Sequence, residues 1–170
     1  LLVFAKSPAV LGQLRDQFRA RKPDRVYIAL VAGTLQSPSG TIRSHLQTAD
    51  NLDQYSSEEE GQGLLAVTHY NVQRALRDTS VVEVRLETGR RNQIRVHMSE
   101  AGHPVLGDPR YGGQAAQHPH WQANRLALHA LSLGLHHPVT GRPLVFTSKL
   151  PDCMQRFIER ERQERRDEQD

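Results

Sequence analysis

Residues 81–113, VVEVRLETGRRNQIRVHMSEAGHPVLGDPRYGG, constrain the fold more than any other stretch of the chain. Val82, Val84 and Leu86 alternate, which predicts a strand with one apolar face. Gly89 then opens a turn that carries Arg90 and Arg91. Ile94, His97, Met98 and Ala101 recur at helical spacing, so a helix follows, with Asn92 as its cap. Arg95 lies off that apolar stripe, in the first turn. Three arginines within six residues therefore surround a turn and a helix N-terminus. Exposed backbone N–H groups and the helix dipole already favour anions there. The stretch reads as a place where phosphate or carboxylate is held.

The rest of the chain supplies a sheet for this turn to sit on. Residues 1–5 read as a buried strand, and Ser7-Pro8 as the start of a helix that ends before Pro23. Residues 25–32 alternate with apolar side chains on both faces, the pattern of a strand central in its sheet. A Ser/Pro/Gly loop over 34–40 leads to a short strand at 41–43, and the polar, acidic stretch 50–63 reads as a surface loop. Residues 64–75 and 80–87 predict a hairpin around Arg77-Asp78-Thr79. Gly102-His103-Pro104 ends the second helix. An irregular segment over 109–124, strands at 126–135 and 144–147, and a last helix using Met154, Phe157 and Ile158 complete the chain. Many hairpin-linked strands with about three helices predict an α+β fold built on a mixed, mostly antiparallel sheet. The expected organisation is one domain over residues 1–158 and a charged tail over 159–170, helical and solvated or frayed.

Composition removes several functional classes. The formal charge of +3 does not by itself identify a nucleic-acid binder; clustering of the cations matters more. Cys153 is the only cysteine, which precludes an intramolecular disulfide and fits a reducing, cytoplasmic setting. No apolar run approaches the roughly 18–20 residues of a membrane-spanning helix. The start at Leu1-Leu2-Val3, without methionine or signal pattern, predicts a beginning inside a domain. Neither a phosphate-binding G-x-G-x-x-G nor a G-x-S-x-G nucleophile turn is present.

Arg95 can fix a carboxylate by paired hydrogen bonds, or form a structural ion pair with Glu87 or Asp108. Arg90 and Arg91 suit phosphates, or belong to an ordinary solvated turn. Tyr27, on an otherwise apolar strand, is either a core tyrosine with its hydroxyl at the edge or a flat surface for a base. The clusters His118/His120 and His136/His137 have no cysteine or carboxylate framework at ligand spacing, so no metal is expected.

Six ordered segments resemble the RluA-type pseudouridine synthases, enzymes that isomerise uridine to pseudouridine in ribosomal or transfer RNA. They are LLVFAK (1–6), RVYIALV (25–31), TGRRNQIRVH (88–97), GHPVLGDPRYG (102–112), RLALHA (125–130) and HPVTGRPL (137–144). The resemblance implies the pseudouridine synthase fold, with flanking helices and a central RNA-binding cleft, RNA as partner, and no metal or organic cofactor. A monomer is expected. In that family a catalytic aspartate forms a covalent adduct with the nucleoside while the base is detached, rotated and rejoined through carbon. Carried over, Tyr27 packs against the target base and assists removal of the final proton, and Arg95 pairs with the aspartate. Arg90, Arg91, Asn92 and Gln93 are assigned to RNA contact.

Two departures accompany the resemblance. The family's H-R-L-D segment, which carries the aspartate just ahead of the strand matching residues 1–6, is not in this chain. Arg91-Asn92 also replaces a more frequent Thr-His. The expectation is a domain that derives from an active enzyme yet is inactive alone, the alternative being a non-catalytic RNA-binding module with the same fold.

Overall fold

The computed structural model describes residues 1–20, 23–57 and 62–167; parts of the expected acidic loop (58–61) and of the charged tail (168–170) lie outside them. The elements run α1 (Pro8–Arg19), β1 (Asp24–Ala32), β2 (Ser39–Thr48), β3 (Gln54–Ser56), β4 (Leu64–Ala75), β5 (Thr79–Leu86), α2 (Gln93–Glu100), β6 (Leu128–His136), β7 (Pro143–Thr147) and α3 (Asp152–Asp167). A single 3₁₀ turn, Gly113–Ala116, lies between α2 and β6.

The strands form one sheet in the order β3-β2-β4-β5-β1-β6-β7, and each neighbouring pair is antiparallel. β1 lies between β5 and β6, and Ala29, Leu30 and Val31 are fully buried, as a strand apolar on both faces requires. Its register places Tyr27 opposite Val84 and Ala130, and Ala29 opposite Val82 and Leu128. These side chains share one face, and α2 covers it with Ile94 and Met98. Met154 and Phe157 of α3 join the same core, where Trp121 meets the Phe157 ring edge-on at 5.7 Å.

Four local expectations change. Residues 1–5 form no strand, and Leu2 and Phe4 are more than four-fifths exposed. An apolar run becomes a strand only with a partner, and none of the described strands pairs with it. The short strand at 41–43 extends to ten residues, because β2 pairs with β4 from Ser39↔Asn71 to Leu46↔Leu64 despite its polar outward side chains. The loop over 50–63 contains edge strand β3, tied to α2 where Ser56 N–H donates to the Glu100 carboxylate at 2.8 Å. The last helix continues beyond Ile158 to Asp167; Glu161 turns inward, and Arg165 donates to the backbone carbonyls of Ala75 and Leu76.

Candidate active site at the arginine-rich turn

The turn between β5 and α2 is fixed from below by one amide. Gln93 is 2% exposed. Its Nε2 donates to Val67 O (3.0 Å) and Thr68 Oγ1 (2.9 Å), and its Oε1 accepts from Thr88 Oγ1 (2.8 Å) and Arg90 N–H (2.9 Å). These bonds occupy its donors and acceptor inside the fold, while Gln93, expected to contact RNA, also lines the cavity beside Arg95. His97, one turn on, is fully buried between Thr68 Oγ1 (2.8 Å) and Ser44 Oγ (3.0 Å), and burial lowers its pKa so that it stays neutral.

Asn92 stands at the N-cap position with φ +54°, a left-handed conformation that asparagine tolerates better than most residues. Its side chain makes no capping bond, contrary to the usual role of asparagine there. It is occupied instead by accepting from Arg95 Nη1 (3.1 Å) and donating to the Tyr111 hydroxyl (3.2 Å).

Arg95 is held on three sides. Nε and Nη2 donate to the two oxygens of Asp108 at 2.7 Å each, Nη1 donates to Asn92, and the guanidinium lies 4.9 Å from the centre of the Tyr111 ring. Of the two structural partners weighed for Arg95, the fold selects Asp108; Glu87 reaches His69. The Asp108 side chain is 0% exposed, and Oδ1 also accepts from the N–H groups of Arg110 (3.0 Å) and Tyr111 (3.1 Å). Burial alone would raise its pKa, but the Arg95 hydrogen bonds, the two backbone N–H groups and the Arg95 charge hold it below the usual carboxylate range. Hydrogen bonding to Asp108 correspondingly raises the Arg95 pKa. A guanidinium has five N–H donors. Three are used here, which leaves one hydrogen on each Nη for a further acceptor.

Arg95 lines a cavity of about 220 Å³ together with Tyr27, Leu86, Arg90, Asn92 and Leu128. Tyr27 is half-buried and its phenol pKa is raised, chiefly by burial and partly offset by the Arg25 charge, so it is a neutral donor at physiological pH. The fold thus brings together Tyr27 and Arg95, 68 positions apart in sequence, with Arg90 and Asn92 beside them. Arg90 also donates from Nε to Leu65 O at 2.9 Å, and Arg91 is exposed beyond the cavity.

Arg25 and Tyr111 escaped the sequence, and Asp108 was weighed there only as a structural partner of Arg95. Arg25 packs its guanidinium on the same turn, so close to Gly89 that a Cβ there would meet its Nη1 at 2.0 Å. Asp108 and Tyr111 come from the G-D-P-R-Y-G segment, which marks a turn but does not say what the turn faces. The histidine clusters divide: His118 and His120 meet a carboxylate after all, from Glu161 on α3.

The fold and site define a class: an antiparallel α+β domain in which a cationic turn and a strand tyrosine share one cavity. The chain belongs to the RNA pseudouridylate synthase family, whose pattern matches residues 1–100. It is 40% identical to ribosomal large subunit pseudouridine synthase D of Zymomonas mobilis over 160 residues, 91% of this chain and 50% of that protein. The enzyme of the same name from Pseudomonas aeruginosa is 38% identical over 161 residues, 89% of this chain and 50% of that protein. The chain spans about half the length of the curated relatives it matches. Among solved structures, human RNA pseudouridylate synthase domain containing 1 superposes with a TM-score of 0.69 at 26% identity, over 88% of this chain and 66% of that one. No helix of the described residues is long and apolar enough to cross a membrane.

Proposed function

We propose that this chain is the base-holding part of an RNA pseudouridine synthase, with the cavity between Tyr27 and Arg95 receiving the flipped uracil. The observation that carries the reading is the shared cavity itself. An engineered apolar cavity of about 150 Å³ takes up one benzene ring, so about 220 Å³ suits a single base. Leu86 and Leu128 supply apolar walls, Tyr27 a flat face with a neutral hydroxyl, and Arg95 a cation whose two remaining N–H groups suit a carboxylate. A base reaches such a slot only after leaving its stack. Arg90 and Arg91 then hold the displaced strand by its phosphates, with Asn92 at the mouth.

No carboxylate among the described residues lines the cavity. We therefore assign the nucleophile to an aspartate supplied with the H-R-L-D segment in a longer protein, where it pairs with the outer edge of Arg95. The 170-residue chain alone is expected to bind RNA without converting it. The relatives named for the large ribosomal subunit make that RNA the first substrate to test, ahead of transfer RNA, with action in the cytoplasm. The same lack of a carboxylate favours a second reading, a non-catalytic RNA-binding module.

The deciding experiment incubates the 170-residue chain, and a form preceded by its encoded upstream segment, with large-subunit ribosomal RNA, followed by pseudouridine mapping. Conversion by the longer form alone is the expected result. Conversion by the short chain overturns the assignment of the nucleophile. RNA binding without conversion by either form selects the binding module.

A further inference from the structure

The densest group of metal-ligating atoms among the described residues lies outside the cavity, where the segment before β6 meets α3. His118, His120 and Glu161 bring one ligating atom each to within 4.8 Å of one another. His120 Nδ1 lies 2.6 Å from Glu161 Oε1, and His118 Nε2 lies 3.8 Å from Glu161 Oε2. Asp78, in the turn between β4 and β5, reaches His118 Nε2 at 3.0 Å.

Glu161 is the reason to look further. Its side chain is 1% exposed, and Oε2 is buried without a hydrogen-bond partner. A carboxylate oxygen removed from water and left without a donor is costly, and such groups are normally paired or bound to a metal. This oxygen points into a cluster that already offers two imidazole nitrogens. A tetrahedral ion with ligands at about 2.0–2.1 Å spaces them about 3.3 Å apart. For His118, His120 and Glu161 the distances of 2.6 and 3.8 Å bracket that value, so small adjustments would open a centre for an ion; Asp78 touches His118 Nε2 alone and would swing further to join them.

We propose that His118 Nε2, His120 Nδ1, Glu161 and Asp78 bind one Zn²⁺ ion, which clasps the β4–β5 turn and the His118–His120 loop to α3. Two nitrogens with carboxylate oxygens suit zinc, whereas magnesium and calcium take oxygen ligands. Four protein ligands make a closed site, hence a structural one. The proton balance is explicit. His120 N–H donates to His118 Nδ1 at 3.1 Å, so the His118 proton resides on Nε2 without metal. Binding moves the His120 proton from Nδ1 to Nε2 and the His118 proton from Nε2 to Nδ1, so both imidazoles stay neutral and no net proton is released. The loop gives up the backbone contact from His120 N–H.

The test titrates the chelator-treated 170-residue chain with zinc sulfate by calorimetry, and with cobalt(II) as a visible-absorption probe. One ion per chain, an intense tetrahedral cobalt spectrum and a thermal midpoint that rises with zinc are expected. Glu161→Gln should weaken binding beyond the roughly 10- to 100-fold cost of losing an outer partner. Asp78 is 60% exposed, so Asp78→Asn should stay folded and bind more weakly, whatever Glu161→Gln does to folding. A folded wild-type chain that takes up no stoichiometric zinc overturns the proposal. So does binding undiminished in both variants, which would place the ion elsewhere.

Discussion

The guanidinium of Arg95 grips both oxygens of Asp108 at 2.7 Å, one partner 17% and the other 0% exposed. The pair joins the first turn of α2 to the loop after it, and it aims the unused edge of the arginine at the cavity it shares with Tyr27. Asp108 thereby fixes a cation in place without itself lining that cavity.

Replacing Asp108 with alanine should cost about 3–5 kcal/mol, because a partly buried guanidinium loses its counter-charge. Urea unfolding of the wild type and Asp108→Ala gives the difference; a loss under about 1 kcal/mol would show the pair to be dispensable. The acid limb follows from the same contact. The folded Asp108 pKa lies below the unfolded value near 3.9, so its contribution is present above that value and lost as pH falls through the folded pKa. Asp108→Asn should remove this part of the acid sensitivity.

Tyr27→Phe separates the ring from the hydroxyl. The raised phenol pKa means that its stabilising contribution is present below about pH 10 and lost as pH rises through the folded value. The variant should therefore resist alkaline unfolding better, with stability at neutral pH changed by no more than about 1 kcal/mol. On the proposed function, a longer form that converts uridine should keep its KM, because the ring remains, while kcat falls about 100-fold or more if the hydroxyl moves a proton. Unchanged kcat would reduce Tyr27 to a wall.

Two glycines should respond unequally to alanine. At Gly107, φ is +72° and a Cβ would meet the backbone oxygen of Arg125 at 2.4 Å, so Gly107→Ala should cost more than about 3 kcal/mol. At Gly89 the obstacle is the tip of Arg25, which can swing aside, and a loss of about 1 kcal/mol is expected. Thermal midpoints in the reverse order would mean that the Arg25 guanidinium is fixed on the turn.

Arg91 and Gln93 differ by two positions and should fail in different ways. Arg91→Ala, at an exposed site, should leave stability within about 0.5 kcal/mol. It should lower the slope of log affinity for single-stranded RNA against log salt by about 0.7, the share of one phosphate contact. Gln93→Ala strands buried partners on β4 and the turn, at about 1–3 kcal/mol each. Its salt slope should match the wild type wherever it is folded, as filter binding across a salt series would test.

The hairpin of β4 and β5, the central strand β1 and helix α2 with Ile94, His97 and Met98 buried were legible in the sequence, whereas Ala101 of the same expected stripe is exposed beyond the helix end. Alternation and helical spacing are local consequences of which side chains can be buried together. Residues 1–5 and β2 were misjudged because strand formation depends on a partner rather than on apolarity: the first run has none, while the polar β2 has β4 along its length. At the site, the sequence determined that cations gather at one turn and, through six ordered motifs, which family the chain belongs to. Only the tertiary structure decided their employment. It turned Gln93 inward, set Asp108 rather than Glu87 against Arg95, carried Tyr27 to the same cavity, and brought Glu161 to His118 and to His120, the latter across 41 residues. Charge type is written in each residue, but a partner is fixed by distance and by exclusion from water, and both arise only when the sheet and helices close on one another.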